Sequence, residues 1–434
     1  MTGLDRRTVL GSIGTGVLGA TAGCLEFFES DDPRRRFEAD ELAPILAMDR
    51  PEIKRPAPVQ PNESSVGEAI VRLDELIDVV PEPLEADDVP NEAVRDEIDR
   101  THEIARARRD ALEDSSDRFH ALQRSVVARR YAGEAAVAIE AVRDERTLED
   151  VESERDDVRT RIENRRAAVD HVGDDVQRTL LLEHCLESEL EIAEWWLDNR
   201  PRDGTSGTFA VGSIGGVVER ARAAVSFAEE LERRHEERLE DERSFESRFE
   251  TALERSLDAI EEANVPNDST EPTDLVDAEV SETIAERVLL EGEIAVVNAS
   301  EQTTDAATND ETSTALWYAC AFERDRRALE TIRERIEDGA HRSLETADDA
   351  RTVRESALES AADVPFEPEE SSLGGDHLAD GYEQLGLVDS RIRGAIDDGW
   401  RTELFSEYAD YVVIGAQLEA LPEAIVVLED RLEA

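Results

Sequence analysis

The sequence predicts an all-α protein: an elongated antiparallel helical bundle with long coiled-coil-like helices, preceded by a proline-rich tether. Three observations carry this. Apolar residues recur with helical spacing, no run alternates with the period of two that a half-buried strand requires, and the prolines crowd at one end. Nine of the 15 prolines lie between Pro33 and Pro90, so residues 24–64 read as a tether, followed by a short helix near Ser65 to Val80. After Pro90 the prolines act as punctuation, at Pro201, Pro266 with Pro272, Pro365 with Pro368, and Pro422.

The long helices follow from the spacing. Ile98, Ala105, Leu112, Phe119 and Val126 repeat every seven residues and predict a helix over 91–145. Thr147 with Asp150 forms a capping box opening a second, over 147–198, along which Val151, Val158, Ile162, Val169, Val172 and Val176 mark one face. Between Val217 and Val265 there is neither Pro nor Gly, room for a helix of about 48 residues and roughly 70 Å within a span of 213–264. Further helices are expected over 274–307, 312–361, 376–397 and 400–433. Short connections imply antiparallel neighbours, with sub-boundaries of the 65–434 body near 199–212 and 364–375. Without strands, Rossmann, P-loop and two-lobed receptor folds are excluded.

Charge sets the next constraint. The 434 residues include 106 Asp and Glu and carry a formal charge of -57, and all but one of the 49 basic positions are Arg, the exception being Lys54. So negative a surface repels nucleic acid, which is excluded as a partner. Such a chain also repels itself in dilute buffer, whereas at molar salt the screening length falls to about 3 Å. Acid surplus, scarce lysine and abundant arginine resemble the composition of extreme halophiles, haloarchaea above all.

The N-terminus obeys a rule of its own. Arg6-Arg7 precede Thr8 to Leu25, which contains no charged residue in a chain where 36% of residues are charged, and the run closes on Thr21-Ala22-Gly23-Cys24. Arg-Arg, a Gly-rich weakly apolar stretch and small residues before a cysteine resemble the signal of haloarchaeal twin-arginine-exported lipoproteins. The resemblance covers about the first 25 residues. It implies removal of residues 1–23, lipid attachment at the Cys24 thiol, and residence at the cell membrane facing outward; Thr21 stands where Leu is commoner. Arg34-Arg35-Arg36 beside Phe27, Phe28 and Phe37 are placed to lie against anionic headgroups.

Chemistry-bearing constellations are sparse. Four of the seven histidines have an acid three residues earlier, as Asp99-His102, Asp117-His120, Glu232-His235 and Asp338-His341. That is the spacing of carboxylate-bridged dimetal bundles. A chain this acidic produces one or two such pairs by chance, so they read as solvated salt-bridge partners. The Gly204 to Gly216 stretch lacks the Gly-Lys-Ser/Thr ending of a phosphate loop and follows a helix, so it reads as a flexible connection. No catalytic residue, metal ligand or cofactor is assigned. Cys185 and Cys320 fall at similar heights in an antiparallel bundle, leaving open a disulfide permitted by export or two buried thiols. Trp195 and Trp196 close one helix, and the uncharged run Gly204 to Val218 brings Phe209, Val211 and Ile214. These either cap the bundle end or form an apolar patch for a protein partner. The sequence thus describes a lipid-anchored, cell-surface structural or protein-interaction module; the alternative from another class is a metal-binding or hydrolytic bundle enzyme.

Overall fold

The structure, a computed structural model, describes residues 35–433 except 114, 116, 200–206, 264, 266–271, 342 and 368–370. Among them the chain forms the helices α1 (Ala39–Leu42), α2 (Glu63–Asp78), α3 (Glu92–Glu113), α4 (Arg118–Val142), α5 (Leu148–Arg166), α6 (Val176–Asp198) and α7 (Thr208–Arg238). These are followed by α8 (Glu246–Glu262), α9 (Ile284–Thr308), α10 (Thr312–Glu337), α11 (Ala347–Asp363), α12 (Leu373–Asp398) and α13 (Phe405–Glu433). The strands β1 (Val172–Gly173) and β2 (Arg243–Ser244) form one short antiparallel pair, with Val172 opposite Ser244. The all-helical bundle expected from the periodicity is what the chain builds.

Four of the long helices expected are broken, each for an identifiable reason. The heptad from Ile98 to Val126 runs through a turn, because Asp117 caps a new helix by accepting from the His120 amide at 3.0 Å. Its two halves fold back on one another. Leu112 and Ala105 pack with Ala128 and Ala132, and Ile98 packs with Ala135 and Ile139. The 147–198 span is split by Gly173 and the capping Asp175, although Thr147 and Asp150 do form the expected capping box. The interval without Pro or Gly is also split, at Leu239–Phe245, where Phe245 turns into the core against Phe249 and β2 reaches β1. Local propensity permits a continuous helix there; burial of Phe245 decides otherwise. The 312–361 span breaks at Gly339 and His341, both with positive φ, and 400–433 starts late because residues 400–404 carry a bridge between Phe37 and Thr402.

Two corrections concern the ends of elements. The part of the tether from 35 to 62 is a strap fixed to the body. Phe37, Leu42 and Ile45 are fully buried, Arg354 donates to the Met48 carbonyl at 2.9 Å, and Glu230 accepts from the Asn62 amide at 2.6 Å. The connection expected at 204–216 is helical from Thr208, since its glycines serve packing. An added Cβ would stand 2.9 Å from the Glu134 carbonyl at Gly212, 2.6 Å from Val137 at Gly215 and 2.7 Å from the Arg130 carbonyl at Gly216. α7 therefore lies against the backbone of α4, and the two form the centre of the first half, with α2, α3, α5 and α6 around them.

The second half repeats the plan with α10 and α13 at its centre. α13 is long and apolar enough to cross a membrane by length and composition, yet Tyr411, Ala416, Leu421 and Leu428 are fully buried in the bundle. Charged pairs join helices inside both halves. Glu219 of α7 accepts from Arg72 at 2.8 Å and Arg129 at 2.9 Å; burial would raise its pKa, and these hydrogen bonds instead hold it down to about 2. Arg354 of α11 grips Asp389 of α12 with two bonds of 2.8 and 2.9 Å, and the Tyr411 hydroxyl of α13 donates to the same carboxylate at 2.7 Å.

The glycine contact gives a sharp expectation. Gly216→Ala gains helix propensity but drives a Cβ into fixed backbone, so it should destabilise by about 1–3 kcal/mol. Gly394→Ala in α12, where nothing lies within 4 Å, should stabilise by about 0.5–1 kcal/mol. Thermal melts of the two variants in molar salt should shift in opposite directions.

Candidate functional site

α6 lies between the halves and serves both cores. Leu180 and Leu181 belong to the second, while Leu182, Leu186 and Leu190 belong to the first. Its acidic stripe meets the start of α10. The residue preceding α10, Glu311, makes no capping bond of its own. Instead Glu187 accepts from the amides of Ser313 at 3.4 Å and Thr314 at 2.7 Å, and Glu183 accepts from the Ser313 hydroxyl at 2.7 Å. A carboxylate from another helix thus satisfies amides that a helix N-terminus leaves open, at the end where the helix dipole favours negative charge. His171 Nδ1 lies 2.5 Å from Glu183, and Arg166 reaches Glu311 and, at 2.9 Å, Glu194.

An aromatic stack continues this seam into α12. Trp317 is sandwiched between His184 and His377, with ring centroids 4.9 and 4.3 Å away, and its Nε1 donates to Asp376 at 2.9 Å. Arg55 of the strap closes the outer side, 3.7 Å from Asp376, 3.4 Å from Glu383 and paired with Asp380. His184 Nδ1 lies 3.1 Å from the Thr314 hydroxyl and 3.2 Å from that of Ser188.

Burial governs the acid–base behaviour of these groups. It lowers His184 to about 3, assisted by Arg55, and displaces His377 well below the usual imidazole range. Both rings are therefore neutral, and neither nitrogen of His377 has a partner. Burial raises Glu187 to about 7 against the bonds from Thr314, and raises Glu311 to about 8 with Glu191 adding to the effect. The seam holds protons near neutrality at the joint between the two halves.

The thiols are equally inert. Burial pushes Cys320 up to about 12 and Cys185 well above the ordinary thiol range, so neither supplies a thiolate nucleophile. The disulfide alternative is not adopted: both are free, with Cys185 against the first core and Cys320 inside the second. Arg6, Arg7 and Cys24 lie outside the described residues, as do Phe27, Phe28 and Arg34. Phe37 is buried beneath its bridge to Thr402 and cannot reach headgroups.

The apolar end divides. Val211 and Ile214 are buried in the first core, Phe209 is half-buried, and Trp196 is half-buried beneath the Arg130 guanidinium, 3.9 Å from the ring centroid. Trp195 alone of the five is open, 40% exposed, beside an equally exposed Ile192 one turn back. The acid–histidine pairs also diverge from a solvated role. His235 is buried and its Nε2 lies 2.9 Å from the Val172 carbonyl, Glu232 pairs with Arg165, His102 is buried, and His341 meets the Tyr408 hydroxyl at 3.0 Å. His120 with Asp117, 2.7 Å apart, is the pair that forms. Among the described residues no group of three or more His, Cys, Asp and Glu is placed to hold a metal.

The acidic seam escaped the sequence reading, though a signal for it exists. Glu183, Glu187 and Glu191 recur every four residues, and no Lys or Arg occurs from Thr179 to Asn199. Like charges at that spacing repel, so the stripe requires partners from elsewhere in the fold.

Fold and seam define a two-unit all-helical protein whose units share one helix and a buried polar joint. Residues 64–242 match a family described as Domain of unknown function (DUF8262), and residues 246–430 match a second, Domain of unknown function (DUF8264). The two matches meet at β2, in the break between α7 and α8. No curated protein and no solved structure matches the chain.

The seam makes stability depend on pH. Glu187 and Glu311 titrate above the ordinary glutamate value, and the Glu183 hydrogen bond likewise raises His171 despite its burial. Above about pH 7 the folded protein therefore binds more protons than the unfolded chain, and stability should fall as pH rises from about 7 to 8.5. His184, His341 and His377, displaced below the ordinary imidazole range by burial, act in the opposite sense near pH 6.5, where the unfolded chain takes up protons on them, and their contribution fades above about pH 7. Glu187→Gln should flatten the decline in melting temperature measured in 2 M KCl; a slope equal to the parent's would refute this assignment.

Proposed function

We propose that the chain is an exported, lipid-anchored, cell-surface protein of a halophile whose helical body is a structural or protein-interaction module. The observation that carries this reading is the N-terminal sequence itself: Arg6-Arg7, an uncharged Gly-rich stretch, and small residues leading to Cys24. Lipid attachment would make Cys24 the first mature residue and hold the body at the outer face of the membrane. The charge excess supports the halophilic part of the reading, because such a surface is tolerated best where salt screens it.

An interaction role rather than a reaction fits the chemistry of the buried groups. The thiols are protonated, the stacked imidazoles neutral, and the acidic stripe of α6 is occupied in capping α10. A protein partner is proposed to meet the body at Ile192 and Trp195, two exposed apolar side chains one turn apart on α6. Trp196 meets Trp195 edge-on, with ring centroids 5.0 Å apart, and itself packs against the first core, to which Val211 and Ile214 belong.

Two experiments bear on this. Cys24→Ser should release the protein from the membrane fraction of the native host; retention equal to the parent's would sink the anchor. The salt requirement is checked by circular dichroism of the parent between molar salt and below about 0.5 M, where repulsion is less screened and helicity or thermal stability should drop. Spectra and melts unchanged across that range would contradict the halophilic reading.

A further inference from the structure

The turn from α12 to α13 displays a tryptophan that the fold does not bury. Gly399 adopts φ +66°, and the amides of Gly399 and Trp400 donate back to the carbonyls of Ile396 and Ala395, each at 3.1 Å. This pair of bonds closes a helix on a left-handed glycine, and the residue after the glycine ordinarily lays an apolar side chain on the last turn. Trp400 instead stands 68% exposed, the most open of the large apolar side chains described. A bulky indole held outward on a hydrogen-bonded turn is an ordered projection, and desolvating it would gain free energy.

The strap places this projection relative to the N-terminus. Phe37 and Thr402 exchange backbone hydrogen bonds of 2.9 and 3.2 Å, with the Phe37 side chain buried, so the entering chain is clamped two residues from Trp400. From Cys24 to Phe37 is about 13 residues, a reach of at most about 45 Å. α13 runs away from this turn for 29 residues, about 44 Å. An anchor at Cys24 therefore keeps this turn within about 45 Å of the bilayer, whereas the far end of α13 can stand about 44 Å further off.

Charge does not supply the attraction. Arg35, Arg36 and Arg401 surround the turn, but they pair with Glu41, Glu403 and Glu38, and Asp397 and Asp398 are exposed beside Gly399. At molar salt what remains of the field is screened within about 3 Å. An indole, with an apolar body and one polar N–H, suits the headgroup level of a bilayer without net charge.

We propose that the Trp400 turn is a lipid-contacting surface, its indole seated among the headgroups of the membrane to which the protein is attached, so that the bundle has a fixed orientation there. The inference rests on the lipid-anchor reading of Cys24. It is tested with the full lipidated protein purified from native membranes and reconstituted in phosphatidylglycerol vesicles in 2 M KCl. Brominated phosphatidylglycerol should quench the tryptophan emission of the parent, and Trp400→Phe should lose more than half of that quenching. The unanchored Cys24→Ser protein should bind the same vesicles weakly, at least threefold less with Trp400→Ser added, and with little change from 1 to 3 M KCl.

Equal quenching of parent and Trp400→Phe while both remain anchored overturns the lipid surface and leaves the anchor standing. Cys24→Ser that stays in the cell membrane like the parent overturns the anchor; the surface then stands or falls on whether Trp400→Ser weakens vesicle binding. Sedimentation showing that the protein dimerises without lipid, with Trp400 shielded from acrylamide in the dimer, assigns the turn to a second copy and overturns the proposal.

Discussion

The approach of α7 to the backbone of α4 is the constraint on which the first half depends. Hydrophobic residues make up only 39% of the chain and aromatic residues 5%, so large side chains cannot fill wide gaps between helices. Close packing is still required, and it is reached by removing side chains. Gly133 of α4 faces Glu219 of α7, Gly212, Gly215 and Gly216 of α7 face α4, and further along Ala221, Ala224 and Ala228 of α7 share a core with Phe119, Leu122 and Val126 of α4. Two helices this close leave little apolar surface at their flanks. There Glu219 gathers Arg72 of α2 and Arg129 of α4, so a buried carboxylate sets the register of three helices. Breaking such a pair leaves an unpaired buried charge, which costs more than the intact pair contributes to stability.

α6 extends that logic across the whole chain. The two matched segments meet at β2, yet the cores do not separate there, since Leu180 and Leu181 of α6 pack with the second half. The same helix supplies the carboxylates that cap α10. The first half therefore completes a helix of the second, and the second satisfies an acidic stripe that the first would otherwise leave repelling itself. Deprotonation of Glu187 or Glu311 charges this shared surface without touching either core, which is why the pH response is located at the joint.

Helix existence was legible in the sequence; helix endings were less so. The seven-residue spacing from Ile98 to Val126 identifies the residues that become buried, but the same spacing arises whether a helix continues or folds back on itself. The capping box at Thr147 was readable because it is local, whereas the break at Leu239–Phe245 needed Phe245 to find a core assembled from α8, α9 and α13. Glycine had the opposite effect: Gly212, Gly215 and Gly216 look like loop, and only the position of α4 turns them into an interface. Burial of His235 and Phe37 was hidden for the same reason, since each is covered by a segment distant in sequence.

The strap explains why the entering segment is not a simple leash. Its residues bind the second half first, through Phe37 with Thr402 and Arg354 with the Met48 carbonyl, and then cross to the first half, where Val59 joins the core and Glu230 receives the Asn62 amide. Arg55 meanwhile covers the Trp317 stack at the joint between the halves. Any force or constraint applied upstream of residue 35 is consequently delivered to both units together. With the lipid at Cys24 that is proposed for it, the chain would hold the body as one piece, because the path from anchor to core passes through backbone pairing and buried ion pairs before it reaches the first long helix.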